Sequence, residues 1–214
     1  RVPLWSRGLG DVYKRQEACY CEPLAGVDEV GRGPLAGPVI AAAVILDKQN
    51  IPDGIKDSKK IAKTQMSFIA GQIKKNSIYA FGTSSVKEID KINILQASLL
   101  AMKRAIESLS RIPRIVLVDG IYVPKIGLDI RPIKGGDSKS ISIAAASIIA
   151  KDHRDKLMLN YSKIYPDYRF EKNSGYGTKE HLLAIQKYGI TPIHRKSFSP
   201  CLLYTSDAAD DMQC

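Results

Sequence analysis

The stretch that most constrains this chain is residues 24–46. A short apolar run from Leu24 ends in two acids, Asp28 and Glu29. A turn of Gly31, Arg32, Gly33 and Pro34 follows, and a second apolar run leaves it from Val39 to Leu46. Apolar segments of this length bounded by Gly and Pro predict buried strands. The turn is too short for a crossover, so the two strands are expected to be antiparallel. Carboxylates at the end of a buried strand are costly unless they are paired or bound to metal, and a divalent cation is the simplest partner. Adjacent strand residues point to opposite faces, so Asp28 and Glu29 share one site only if the strand twists or leaves regular geometry there.

A length of 214 residues fits one domain, with room for a small helical appendage. The formal net charge of +10 points to a polyanionic partner, with nucleic acid ahead of a membrane surface. No apolar run approaches the roughly 20 residues of a membrane span, and the N-terminus lacks the apolar region of a secretory signal. The four cysteines are Cys19, Cys21, Cys201 and Cys214. None lies between residues 22 and 200, which fits a reducing cytoplasm. No second pair stands at zinc-finger distance from Cys19 and Cys21.

Residues 1–16 and 201–214 show no periodic pattern and read as non-native tails, resembling translated adapter sequence. The expected domain is 17–200. Excluding the tails leaves its charge at +10, because the first has four basic and one acidic residue and the second three acidic and none basic.

Within the domain, Thr64–Lys75 has helical spacing, Ser77–Val86 alternates as a strand, and Ile92–Leu109 is an amphipathic helix with a stripe of Ile92, Leu95, Leu99, Met102 and Ile106. Arg114–Asp119 is a buried strand and Ile130–Ile133 a short one. Ser140–Tyr161 is a long helix rich in small apolar residues, and Lys179–Tyr188 a helix ended by Gly189 and Pro192. Strands after the first pair are separated by helices and are expected to be parallel. The fold class is therefore α/β, a mixed central sheet flanked by helices with a C-terminal helical region.

Four acids stand where the backbone turns or ends: Asp28, Glu29, Asp119 and Asp137. Such carboxylates suit Mg²⁺ or Mn²⁺, and two such ions about 4 Å apart hydrolyse phosphodiesters. Alone, Asp119 reads as the turn residue before Gly120 and Asp137 as a helix N-cap. Gly31-Arg32-Gly33 is not a dinucleotide loop, because no helix follows it. It is a turn that lets a phosphate or sugar approach closely, with Arg32 adding charge. Lys59, Lys60, Ser138, Lys139, Ser140 and Lys179 are candidate phosphate contacts. Tyr176 lies between two glycines, and His181 and His194 have no partner spacing for zinc.

Five further blocks stand in order after this opening unit: Asp57-Ser58-Lys59-Lys60, Val118-Asp119-Gly120, Lys134 through Ala150, Gly175 through His181, and Pro192 through Phe198. With it they resemble the type 2 ribonucleases H, the bacterial ribonuclease HII family, over roughly residues 24–200. The resemblance implies a ribonuclease H-like fold and an endoribonuclease acting on the RNA strand of RNA–DNA hybrids. It also implies cutting 5′ of single ribonucleotides in duplex DNA, leaving 3′-hydroxyl and 5′-phosphate ends. It assigns Asp28, Glu29, Asp119 and Asp137 to two Mg²⁺ or Mn²⁺ ions. Gly31, Arg32 and Gly33 fall at the junction between ribonucleotide and deoxynucleotide, and Tyr176 against its sugar, where the 2′-hydroxyl separates RNA from DNA. A cytoplasmic monomer without membrane contact is expected. The rivals are a junction-resolvase-like nuclease on the same fold and a non-catalytic nucleic-acid-binding module. Two departures from the family pattern are Gly135 before Gly136-Asp137, and Asp152 where relatives commonly have valine; a buried charge at 152 would cost stability.

Overall fold

The computed structural model describes residues 17, 23–55, 63–199 and 201–202. Five strands form one sheet in the order β3-β2-β1-β4-β5. They are β1 Leu24–Val30, β2 Val39–Leu46, β3 Ser77–Ser84, β4 Ile115–Asp119 and β5 Asp129–Ile133. The helices are α1 Lys63–Lys75, α2 Val86–Glu107, α3 Ile141–Ile164, the short α4 Phe170–Asn173 and α5 Lys179–Tyr188. The mixed α/β sheet is the one expected. β2 is buried along its whole length, because α2 covers one face while α1 and α3 cover the other. This is why it reads as an unbroken apolar run rather than an alternating one. Among the described residues no helix is long and apolar enough to cross a membrane.

β1 and β2 are antiparallel, as the tight turn requires. β1, β3, β4 and β5 all run the same way and only β2 is reversed. Two connections differ from expectation. β3 pairs antiparallel with β2 although α1 stands between them, with Leu46 opposite Ser77. The chain returns beside the point it left, so α1 covers the sheet without crossing it. β4 and β5 are parallel with no helix between them.

α2 begins earlier than its apolar stripe suggests, because Ser85 and Glu88 form a reciprocal capping box. Asn93 then interrupts it at φ 67 and ψ 166, and its Oδ1 accepts from the Leu95 and Gln96 N–H groups at 3.0 and 3.1 Å. The helix restarts there with a new cap. Its most buried stripe becomes Ala97, Ala101 and Ala105, while Ile92, Leu95 and Leu99 are only partly covered. Small residues are needed because α2 lies directly on β3: a Cβ at Gly82 would stand 2.0 Å from the Ala101 carbonyl oxygen.

Asp152 is packed, at 3% exposure. It does not stand alone: Ser67 Oγ, Lys74 Nζ and Lys156 Nζ donate to it at 2.7, 2.9 and 2.9 Å. Burial pushes its pKa up, but the hydrogen bonds from Lys156, Lys74 and Ser67 outweigh that and hold it below the usual carboxylate value. A depressed carboxyl pKa contributes stability above the unfolded value and loses it as pH falls through the folded one. Asp152→Asn is therefore expected to cost about 1.5–3 kcal/mol at neutral pH, the usual worth of a charged hydrogen bond. The difference from wild type should vanish in strong acid. Urea unfolding across pH 7 to 3 checks this, and a pH-independent difference would contradict it.

Candidate active site

The matched pairing of parallel β1 and β4 ends at Val27 opposite Val118. Asp28 and Asp119 are the next residues, so both stand at the carboxyl ends of neighbouring parallel strands, where open α/β sheets form ligand sites. Leu24, Ile115 and Leu117 pack with Ile143 of α3, whereas Ala25, Val27, Val116 and Val118 pack with α2. Alternation therefore turns Asp28 and Asp119 toward α3. β1 keeps its register with β2 through Val30 opposite Ile40. The register carries through both acids without a bulge, and the charge of Asp119 reaches both carboxyls. The two are coupled at the strand end, where the Glu29 N–H donates to Asp28 Oδ1 at 2.8 Å.

Burial pushes the Asp28 carboxyl well above its ordinary range; the charges of Glu29 and Asp119 add to this, and a Ser147 hydrogen bond opposes it. Glu29 is raised as well, by burial first, with Arg32 opposing and Asp119 adding. Asp119 Oδ1 accepts the Gly136 N–H at 2.6 Å, and Asp137 is the next residue, in a 3₁₀ turn from Gly136 to Ser138. Asp137 is not the cap of α3. That role belongs to Ser140, whose hydroxyl accepts the Ile143 N–H. No three His, Cys, Asp or Glu side chains among the described residues close into metal-binding geometry by themselves. The donor chemistry nevertheless fits a divalent cation: the acids are hard oxygen ligands, and the buried Asp28 carboxyl faces the like charges of Glu29 and Asp119, which a cation would offset.

The glycine turn and the tyrosine, far apart in sequence, meet in space. A Cβ at Gly33 would stand 3.3 Å from Tyr176 Cε1, and Tyr176 is half exposed. Gly175 O accepts the Leu35 N–H at 2.8 Å, joining the two loops. Gly31 has φ +91, and a Cβ there would strike the Arg154 side chain. Arg32 pairs with Glu29 at 3.3 Å.

Two buried arginines hold this turn, and sequence reasoning gave neither a role. Arg195 donates to the carbonyls of Gly31, Arg32 and Gly37, and Arg154 to those of Ala36, Pro38 and Ser174. Burial, and then the like charge of Arg154, pulls Arg195 down to about 9. The spacing Ala150, Arg154, Met158 could have placed Arg154 on the buried helix face. Arg195 lies in the Pro192 to Phe198 block, but no local pattern marks it for burial.

His181 and His194 form a buried pair with Nε2 atoms 3.0 Å apart. The Thr191 N–H donates to His194 Nδ1 at 2.9 Å, so the His194 proton sits on Nε2 and is donated to His181 Nε2. His181 Nδ1–H then donates to the Tyr176 carbonyl at 2.8 Å. These histidines are structural supports of the Tyr176 loop. Burial, and then its neighbour His181, pushes His194 down to about 4, and burial lowers His181. Unfolded histidines titrate near 6.5, so below that pH the unfolded chain binds more protons. Stability is therefore expected to fall as pH drops from about 6.5 toward 4. Urea midpoints at several pH values test this: His194→Gln should flatten the slope, and an equal slope in the variant would refute the assignment.

Among the other candidate contacts, Ser138 Oγ donates to the Gly135 carbonyl and Lys139 Nζ to the Lys134 carbonyl, so both are engaged within their own loop. Ser140 is a buried cap bound to Glu17, which removes it from the phosphate contacts. Lys179 is exposed at the start of α5. Lys59 and Lys60 lie outside the described residues. Cys201, assigned by the sequence to a tail, is buried with Leu35, Ala36 and Phe170.

The sequence model of the family described as Ribonuclease HII matches residues 25–201. The chain belongs to the ribonuclease HII family. The ribonuclease HII of Rickettsia bellii strain OSU 85-389 is 56% identical over 181 residues, 84% of this chain and 91% of the relative. That of Clostridioides difficile strain 630 is 51% identical over 176 residues, 82% of this chain and 69% of the relative. The crystal structure of ribonuclease H2 from Pyrococcus horikoshii OT3 is similar with a TM-score of 0.72 at 26% identity, covering 86% of this chain and 97% of that one. Membership in the ribonuclease HII family makes the chain a ribonuclease H and sets this reading ahead of the resolvase-like and purely binding alternatives.

Proposed function

We propose that the chain is an endonuclease that hydrolyses the RNA strand of RNA–DNA hybrids and cuts 5′ of a single ribonucleotide embedded in duplex DNA. The products are 3′-hydroxyl and 5′-phosphate ends, and the biological role is removal of ribonucleotides from DNA in the cytoplasm by a monomer. The observation that supports selection of a single sugar is the contact of Tyr176 with Gly33. An exposed aromatic ring against a side-chain-free turn leaves a slot in which a ribose lies on the ring while backbone reaches its 2′-hydroxyl.

Asp28, Glu29, Asp119 and Asp137 would hold two Mg²⁺ or Mn²⁺ ions. When bound, the ions supply an activated water and charge stabilisation for the leaving oxygen. The chain's own residues orient the strand. Gly31 and Gly33 admit its backbone, Tyr176 packs on the sugar, and Arg32 exchanges Glu29 for a phosphate oxygen. Lys59, Ser138 and Lys139 are proposed to contact further phosphates; Ser138 and Lys139 would have to leave their loop carbonyls to do so.

The test is a duplex with one embedded ribonucleotide, beside an all-DNA control and an RNA–DNA hybrid, with Mg²⁺ or Mn²⁺ and with chelator. Metal-dependent cleavage 5′ of the ribonucleotide, sparing the control, is the expected result. Cutting of the all-DNA duplex would favour a resolvase-like activity, and binding without any cleavage would favour a binding module.

A further inference from the structure

Beside Tyr176 an open cleft of about 370 Å³ is lined by Val30, Lys151, Arg154, Lys172 and Ser174, with Asp155 as its one acid. Its place follows from the acid edge. Val30 is two residues beyond Asp28 on the same strand and so faces the same way. On α3, Ser147 bonds Asp28, and Lys151 comes one turn later, about 6 Å further along the axis. That displacement is of the order of one nucleotide step, in line with the acids and walled by the tyrosine.

The charges in the cleft are unbalanced. Lys151 and Lys172 are both exposed, and neither side-chain ammonium has an ion-pair or hydrogen-bond partner among the described residues. The Arg154 guanidinium is buried at the floor and bound only to carbonyl oxygens, so its charge is not cancelled by a direct ion pair. Asp155 accepts a long hydrogen bond from Ser174 Oγ at 3.5 Å. Three cations against one acid offer little to a neutral or apolar ligand and favour a phosphodiester.

We propose that Lys151 and Lys172 seat a backbone phosphate of the bound strand, adjacent to the sugar that faces Tyr176. This rests on the reading that Tyr176 faces the strand. The two lysines position the substrate and take no part in the bond-breaking step.

The test is fluorescence anisotropy of a labelled duplex with one ribonucleotide, in chelator, across about 50–200 mM salt. The Lys151→Ala/Lys172→Ala variant is compared with wild type, with Lys151→Arg/Lys172→Arg, and with a Lys163→Ala control at the far end of α3. Loss of one phosphate contact is expected to weaken binding and reduce the salt slope by about one. The arginine pair should restore the slope, the control should leave it unchanged, and in cleavage KM should rise while kcat holds. An unchanged slope, or an equal loss in the control, overturns the proposal. So does early melting of the alanine variant, because neither lysine has a structural partner to lose. Since binding is read without metal, a wild-type chain that fails to cut at the ribonucleotide would sink the proposed function and still leave this question answered.

Discussion

Asp119→Asn is expected to give a folded protein that binds duplex and no longer cuts it. Asparagine keeps an oxygen to accept the Gly136 N–H, which Asp119 holds at 2.6 Å, so the turn carrying Asp137 stays in place. What is lost is one negative charge and one oxygen donor at the end of β4. Even outer partners of metal ligands are worth roughly 10–100-fold in affinity or activity. Loss of Asp119 as the proposed direct ligand should therefore lower the single-turnover rate by more than about 100-fold. Binding in chelator should hold or tighten, since a like charge near the phosphate is removed. Melting temperature, anisotropy and single-turnover cleavage separate these effects. A folded variant that still cuts at near wild-type rate would remove Asp119 from the proposed site.

The second large effect is expected at Arg195. Its guanidinium spans the carbonyls of Gly31, Arg32 and Gly37 from a fully buried position. Arg195→Lys keeps the charge, but a single ammonium cannot reproduce a planar fork reaching three acceptors. At about 1–3 kcal/mol for each buried acceptor left unsatisfied, two lost carbonyls cost about 2–6 kcal/mol. That corresponds to a fall of roughly 10 °C in melting temperature for a chain of this size. The carbonyls in question belong to the turn proposed to admit the ribose, so discrimination between ribonucleotide-containing and all-DNA duplex should also fall. Calorimetry and competition cleavage read the two effects. A variant with wild-type stability and wild-type selectivity would show that Arg195 does not organise the turn.

The regular elements were legible because their signals are local. α5 needed only its helical spacing and the glycine after it, and β1 and β2 only their apolar runs and the turn between them. Where local signals conflicted, the reading slipped. Ser85 and Glu88 start α2 with a capping box, and Asn93 resets its helical phase, so Met102 and Ile106 are buried as the stripe predicts while Ala97, Ala101 and Ala105 take the place of Ile92, Leu95 and Leu99. The helix between β2 and β3 suggested a crossover, but only the pairing of Leu46 with Ser77 shows the chain turning back.

Sequence by itself determined that acids stand at strand ends, that a glycine turn follows the first pair, and that the body of the chain is strongly basic. These are properties of neighbouring residues and of composition, and they need no packing to be read. Only the tertiary structure decided that Asp28 and Asp119 end neighbouring parallel strands, that Arg32 is paired with Glu29, and that Tyr176 reaches Gly33. It also decided that Arg154 and Arg195 are interior, and which nitrogen of each buried histidine bears the proton. Arg195 lies more than 150 positions from the carbonyls it holds. An arginine bound for the interior and one bound for solvent look alike in a linear chain, because the acceptors that make burial tolerable are assembled only when distant segments pack.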